Sequence, residues 1–318
     1  MIFLLSEAVT RYVAYRRSLG CGMVNEAQIL QMFCRVMGPE TLLNEIAPDR
    51  VLSFLDGTGP VTLYWHRKHQ ALEGFYRFAL ARNYASASPL PAECPPRPLP
   101  KAPYIFTREE LFRLLASTDS FPNRKNTLAR YCLRVLLLLL YGAGLRISEA
   151  LALTVADTDL VAGVLTIRDT KFYKTRLVPI GPDLKSVLVS YSKKRNLPAD
   201  HTESHLEPFF LNRHGVAPTY NQVGGAFRRL RVHAGIRRAD GLSHPPRIHD
   251  LRHSYAVHRL VSWYRQGADV QKLLPQLATY LGHVDIASTQ WYLTMTPELL
   301  SQASQRFEHY ALEVAENA

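Results

Sequence analysis

Pro89, Pro91, Pro95, Pro96, Pro98, Pro100 and Pro103 crowd the stretch between Ser88 and Pro103, a density at which neither a helix nor a sheet ladder can form. Each ring fixes its own φ and removes a backbone donor, so the stretch reads as an extended, stiff spacer. A chain divided by such a strap folds as two bodies. With 318 residues, 47% of them hydrophobic, there is apolar material for two cores of ordinary size. We therefore expect a first domain over residues 1–87, a linker over 88–104 and a second domain over 105–318.

The first domain reads as helical. Leu5, Ala8, Val9 and Tyr12 recur at helix-face spacing, and Gly20-Cys21-Gly22 and Gly57-Thr58-Gly59-Pro60 interrupt the pattern. From Thr62 onward, Leu63, Leu72, Phe75, Tyr76 and Ala79 fall largely on one side of a helix, with His66, Arg67, His69, Arg77 and Arg82 around the other. A solvated basic face is the plainer reading. The sharper one lays this helix on a polyanion, with Arg67, Lys68 and Arg77 meeting phosphates.

The charge balance of the whole chain bears on its partner. A formal net charge of +11 suits nucleic acid. A membrane partner is not expected, because the longest apolar run, Val135 to Tyr141, is far shorter than the roughly 20 residues a bilayer span needs. Ile2 to Leu5 has no basic residue ahead of it and soon meets Glu7 and Arg11, unlike a secretory leader. Cys21, Cys34, Cys94 and Cys132 lack paired spacing, which fits a reducing cytoplasm.

In the second domain Thr107-Arg-Glu-Glu110 is a capped helix start, and the apolar run ends at Gly142-Ala-Gly144 before a helix beginning Arg146-Ile-Ser-Glu149. Arg146 can reach beside the positive end of that helix, where an anion would meet both charges, or simply pair with Glu149. Val164–Ile167 and Arg176–Ile180 alternate as strands joined by a turn carrying Lys171 and Lys174. His249 and Arg252 share a helix face, a further helix over 270–281 stops at Gly282 just before His283, and Asp285 can cap a short helix leading to Tyr292. Thr296-Pro297-Glu298 starts a last helix, to about Val314.

Taken in this order, these motifs resemble the tyrosine recombinases of the phage integrase and Xer type. The resemblance rests on Arg146 in Gly144-Leu-Arg-Ile-Ser-Glu149, Lys171 in the hairpin, His249-Asp-Leu-Arg252, Leu281-Gly-His283 and Tyr292, and in the first domain on Phe75-Tyr-Arg-Phe78. It implies a mainly α (α+β) protein: an N-terminal helical, SAM-like core-binding domain, then a mainly helical catalytic domain with a small antiparallel sheet, the DNA breaking-rejoining enzyme fold. Phe172-Tyr173 stands where the family has a glycine after its lysine, so Lys171 is assigned with Lys174 as the other lysine of the turn and a DNA contact. The segment between Arg252 and His283 is longer than usual.

The resemblance also implies chemistry that suits these residue types. Arg146 and Arg252 would stabilise charge on a phosphate, since forked guanidinium donors match its oxygens. A phenol with pKa about 10 must lose its proton as it attacks, and His249 is the candidate acceptor for Tyr292. Lys171 would protonate the leaving 5′-oxygen, His283 would donate to the phosphate and Glu149 would orient its neighbours. The expected enzyme is a site-specific DNA recombinase of the integrase or transposase type, with a mobile element as one setting and the chromosome as the other, working through a 3′-phosphotyrosyl intermediate without cofactor or metal. Its expected partners are double-stranded DNA with inverted-repeat core sites and further copies in a homo-tetramer, with other recombinases as alternative partners; its expected place is the cytoplasm, at the nucleoid. The helix from about 297 would be exchanged between subunits. The alternatives are a type IB topoisomerase-like relaxing enzyme, a catalytically silent DNA-binding protein, and a zinc site at His249 and His253.

Overall fold

The computed structural model describes residues 3–98, 102–120, 128–168, 175–195, 207–238, 241–242, 244–283, 285–294, 301 and 304–305. The chain divides into two units, Met1–Lys101 and Ala102–Ala318. Lys171, Lys174 and nearly all of the expected C-terminal helix lie outside the described residues.

The first unit is a bundle of four helices: α1 (Leu5–Ser18), α2 (Val24–Met37), α3 (Pro48–Asp56) and α4 (Leu63–Ala81). Gly57, with φ +64°, ends α3, and the Thr62 hydroxyl accepts from the Tyr64 N–H to start α4. The core is built where these helices turn apolar faces together: Leu5, Val9 and Tyr12 from α1, Leu30 and Phe33 from α2, Val51 and Leu55 from α3, Leu72, Phe75 and Tyr76 from α4. The Trp65 indole donates to Asp56 at 2.8 Å, tying α4 to the end of α3.

One expectation for α4 fails. Lys68 is buried, 7% exposed, on the same face as Trp65, Leu72 and Phe75. Its Nζ donates to the Phe54 carbonyl and lies 5.0 Å from the Phe54 ring centroid, so it caps the end of a neighbouring helix and not a phosphate. Arg67 is exposed, as is Arg77, which pairs with Glu73 at 2.9 Å in a geometry worth little to stability.

In the second unit α5 (Arg108–Ser120) starts with a reciprocal cap, Glu110 N–H to Thr107 Oγ1 and Thr107 N–H to Glu110 Oε2. The apolar run forms α6 (Arg130–Gly142), and with Leu133, Val135, Leu136 and Leu139 at 0% exposure it is the centre of the main core. The short α7 (Ile147–Ala152) follows. A three-stranded antiparallel sheet then runs in the order β1 (Thr158–Asp159), β2 (Val164–Ile167), β3 (Arg176–Pro179), with Leu165 opposite Val178. Leu165, Ile167 and Val178 enter the core. β1 was too short to leave an alternation in the sequence.

The described residues then form α8 (Pro182–Lys194), α9 (Tyr220–His233), α10 (Asp250–Arg265) and α11 (Val270–Leu281). The tiny α12 (Ala287–Gln290) and a 3₁₀ turn, Trp291–Thr294, follow α11. α10 and α11 build a second apolar cluster in which Leu260, Leu277, Leu281 and the ring of Tyr292 meet. Ser254 fastens α10 to the start of the unit, its hydroxyl donating to the Asp250 carbonyl and accepting from the Phe106 N–H, both at 2.8 Å. The fold is thus mainly helical with one small antiparallel sheet, as the sequence led us to expect.

Candidate active site

The last turn of α11 organises the site. An α-helix ends with carbonyls that have no partner within it, at the negative end of its dipole. α11 stops at Gly282, whose φ of +69° bends the chain back so that the His283 N–H reaches the Ala278 carbonyl at 2.9 Å. Three consecutive carbonyls are then each taken by a different arginine. Arg176 Nε donates to Tyr280 O at 3.0 Å, Arg252 Nη2 to Leu281 O at 2.6 Å and Arg146 Nη2 to Gly282 O at 2.9 Å.

These arginines come from β3, α10 and the turn between α6 and α7, so one helix end gathers parts distant in the chain. The second amino group of Arg252 donates to Gly144 O at 2.7 Å. That carbonyl is available because Gly144 adopts φ +59°; a Cβ there would come within 2.9 Å of Leu281 and closer still to the Tyr255 ring. Arg252 is 2% exposed, and the burial together with Arg146 pushes its guanidinium down to about 10, still protonated at neutral pH.

One carboxylate serves the cluster. Glu149 Oε1 accepts from Arg146 Nη1 at 2.6 Å and Arg176 Nη1 at 3.0 Å, while Oε2 accepts from the Arg146 N–H at 2.9 Å and Arg176 Nη2 at 2.8 Å. Arg252 Nη1 lies 3.9 Å from Oε2. Burial alone would raise the Glu149 pKa, but the bonds and charges of Arg176 and Arg146 overcome it and hold the carboxyl at about 2. Three guanidiniums around one carboxylate leave two positive charges in excess, which is an anion site by electrostatics.

Tyr292 lies against this pocket, 2% exposed, and its Oη is 2.9 Å from Nδ1 of His253. Burial raises the phenol above its ordinary value, while Arg252 and Arg146 pull it back. The His253 imidazole is pushed down to about 4 by burial, Arg247 and Arg252, so at neutral pH it is uncharged and its Nδ1 can accept the phenolic proton. Burial, Arg252 and Arg146 hold His283 at about 4 as well; its ring stacks on Tyr292 at 6.0 Å between centroids, and its Nδ1 is 2.7 Å from the buried Thr289 hydroxyl.

Of the residues expected from sequence, Arg146, Glu149, Arg252, His283 and Tyr292 come together here. His249 is close by, with its ring edge-on to that of His253 at 4.9 Å, but it is the more exposed of the two. The ring within hydrogen-bond distance of the Tyr292 hydroxyl is thus that of His253, one helical turn on from the His249 expected from sequence. Arg176 is the other residue missed. A charged residue at the start of a strand ordinarily points to solvent, and nothing in the local pattern marks this one as 10% exposed and forked onto Glu149.

Sequence and structure comparisons show which known proteins the chain resembles. The model of the phage integrase family matches residues 105–298. The Sinorhizobium fredii protein named integrase/recombinase y4rB is 38% identical over 307 residues, 95% of this chain and 96% of its own length. Tyrosine recombinase XerA of Thermococcus kodakarensis is 34% identical over 237 residues, 74% of this chain and 72% of its own. Among solved structures, a lambda integrase dimer bound to a COC′ core site superposes with a TM-score of 0.68 at 17% identity, over 92% of this chain and 77% of that one.

Proposed function

The chain belongs to the phage integrase family and is a tyrosine site-specific recombinase, and from this we propose that Tyr292 attacks a scissile DNA phosphate lodged against Arg146 and Arg252. The observation that carries the assignment is the placing of the Tyr292 hydroxyl between a neutral histidine and two guanidiniums. The Oη–P bond forms as the P–O5′ bond breaks. The phenolic proton passes to His253 Nδ1, and the 5′-oxygen takes a proton from Lys171. Arg146 and Arg252 hold the charge that gathers on the nonbridging oxygens. His283, oriented through Thr289, and the more exposed His249 add donors to the same phosphate. The 3′-phosphotyrosine conserves the bond energy, and the 5′-hydroxyl of another strand reseals it by the reverse path.

The substrate proposed is duplex DNA with inverted-repeat core sites. A lambda integrase dimer is known on a core site and a tetramer on a Holliday junction, which supports a homo-tetrameric assembly for this chain, with the segment after Leu300 exchanged between subunits. No helix among the described residues is long and apolar enough to cross a membrane. From the DNA substrate proposed, we place the enzyme in the cytoplasm at the nucleoid, with a mobile element as the setting proposed. The domain limits proposed remain a DNA-clamping domain over 1–87, a linker over 88–104 and a catalytic domain over 105–318. The test is a duplex nicked near its core site, on which the protein forms a covalent adduct and Tyr292→Phe forms none. Adduct formation by the phenylalanine variant would overturn the assignment.

A further inference from the structure

The network around Glu149 contains more positive charge than two phosphate-binding arginines require. Arg176 makes three hydrogen bonds from one side chain: both amino groups fork onto the two Glu149 oxygens at 3.0 and 2.8 Å, and Nε donates to Tyr280 O at 3.0 Å. It also lies flat across Gly282, where a Cβ would come within 2.7 Å of Nη1 and 2.9 Å of Cζ. The glycine that ends α11 thus serves the backbone turn and the approach of this guanidinium together.

Glu149 is the reason Arg176 matters. With Arg176 absent, the carboxylate keeps hydrogen bonds only from Arg146, with Arg252 at 3.9 Å, and both of its oxygens draw on Arg146. Arg146 would then be held by its carboxylate and weakened as a phosphate ligand. With Arg176 present, a bidentate fork satisfies both carboxylate oxygens from the β3 side. Arg146 keeps a net positive field, and Glu149 is fixed in the position that receives the Arg146 N–H.

We propose that Arg176 is a positioning residue for strand cleavage, a third arginine that does not touch the DNA but holds Glu149 so that Arg146 stays aimed toward the scissile phosphate. This rests on the reading of Arg146 and Arg252 as the phosphate-binding pair. The consequence is specific: loss of Arg176 harms the reaction in proportion to the charge on the phosphate, because what it protects is charge stabilisation.

The test compares two nicked duplexes, one with a normal scissile phosphate and one with an uncharged methylphosphonate at that position, measuring the single-turnover rate of adduct formation. R176Q is expected to lose about 30-fold on the phosphate, somewhat less than removal of a direct oxyanion donor, and only a few-fold on the methylphosphonate. R176K, which keeps the charge but not the fork, falls between. Because both substrates meet the same protein preparation, a general folding defect would lower both rates alike. An equal loss on both substrates, or no loss on the phosphate, overturns the proposal. R146A is the control: a charge-dependent defect there without one in R176Q sinks the role of Arg176 alone, whereas no charge dependence in R146A removes the phosphate-binding reading itself.

Discussion

The phenolic oxygen of Tyr292 stands 2.9 Å from Nδ1 of His253, although 39 residues separate them in the chain. His253 sits on α10 next to Arg252, so the proposed acceptor and the proposed oxyanion ligand are neighbours in sequence that face one reacting group.

Removing the acceptor should therefore cost more than removing its neighbour. His253→Gln is expected to slow adduct formation by about 10²- to 10⁴-fold, the usual worth of a general base, and His249→Gln by less. Single-turnover cleavage of a nicked duplex measures both. A larger loss for His249→Gln would return the acceptor role to His249.

The two left-handed glycines of the site should be intolerant of alanine. Gly144 and Gly282 have φ of +59° and +69°, and a Cβ at either meets atoms at 2.9 Å or closer. The backbone term alone is about 1–2 kcal/mol per position, and the displaced neighbours add to it. At roughly 2–4 °C per kcal/mol for a domain of this size, each alanine variant should melt several degrees lower. A variant with an unchanged melting temperature would mean that the helix end reorganises at no cost.

Stability should fall on mild acidification. The folded protein holds His253 and His283 at about 4, against 6.5 when unfolded. Above pH 6.5 both states carry neutral imidazoles and the full stability is present. Between 6.5 and 4 the unfolded chain binds protons that the folded one refuses, so stability is lost as pH falls through that window. Calorimetry at pH 7.5 and 5.0 reads the drop, and a His253→Gln, His283→Gln double variant should show less of it. An equal drop in the double variant would assign the effect to other groups.

The first unit offers a contrast between two adjacent residues of α4. Arg67→Ala should lower the slope of log affinity against log salt by about 0.9, one phosphate contact on duplex DNA. Lys68→Met should leave that slope unchanged, since its ammonium is buried against Phe54. Fluorescence anisotropy over a salt series separates them. A reduced slope for Lys68→Met would show that the side chain turns outward on DNA.

Most of this architecture was legible because it is local. The helix cap at Thr107, the glycine stops and the alternation of β2 and β3 each leave a short-range mark, and the motif order carried Arg146, Arg252, His283 and Tyr292. The failures were tertiary. Lys68 lies within an otherwise basic run, and periodicity alone does not reveal that a carbonyl at the end of α3 waits for its ammonium. His253 was visible only as a second histidine one turn from His249, and which of them meets Tyr292 depends on how the 3₁₀ turn packs on α10. Arg176 is defined by partners on α7 and α11, which no local pattern encodes.

The arginine-capped end of α11 means that mutual repulsion among like charges is borne once, when the chain folds, and not at each turnover. The protein rests with its cations already crowded, so the arrival of any small oxyanion relieves a tension built into the native state. Inorganic phosphate or sulfate should accordingly protect this chain from heat beyond what ionic strength alone explains.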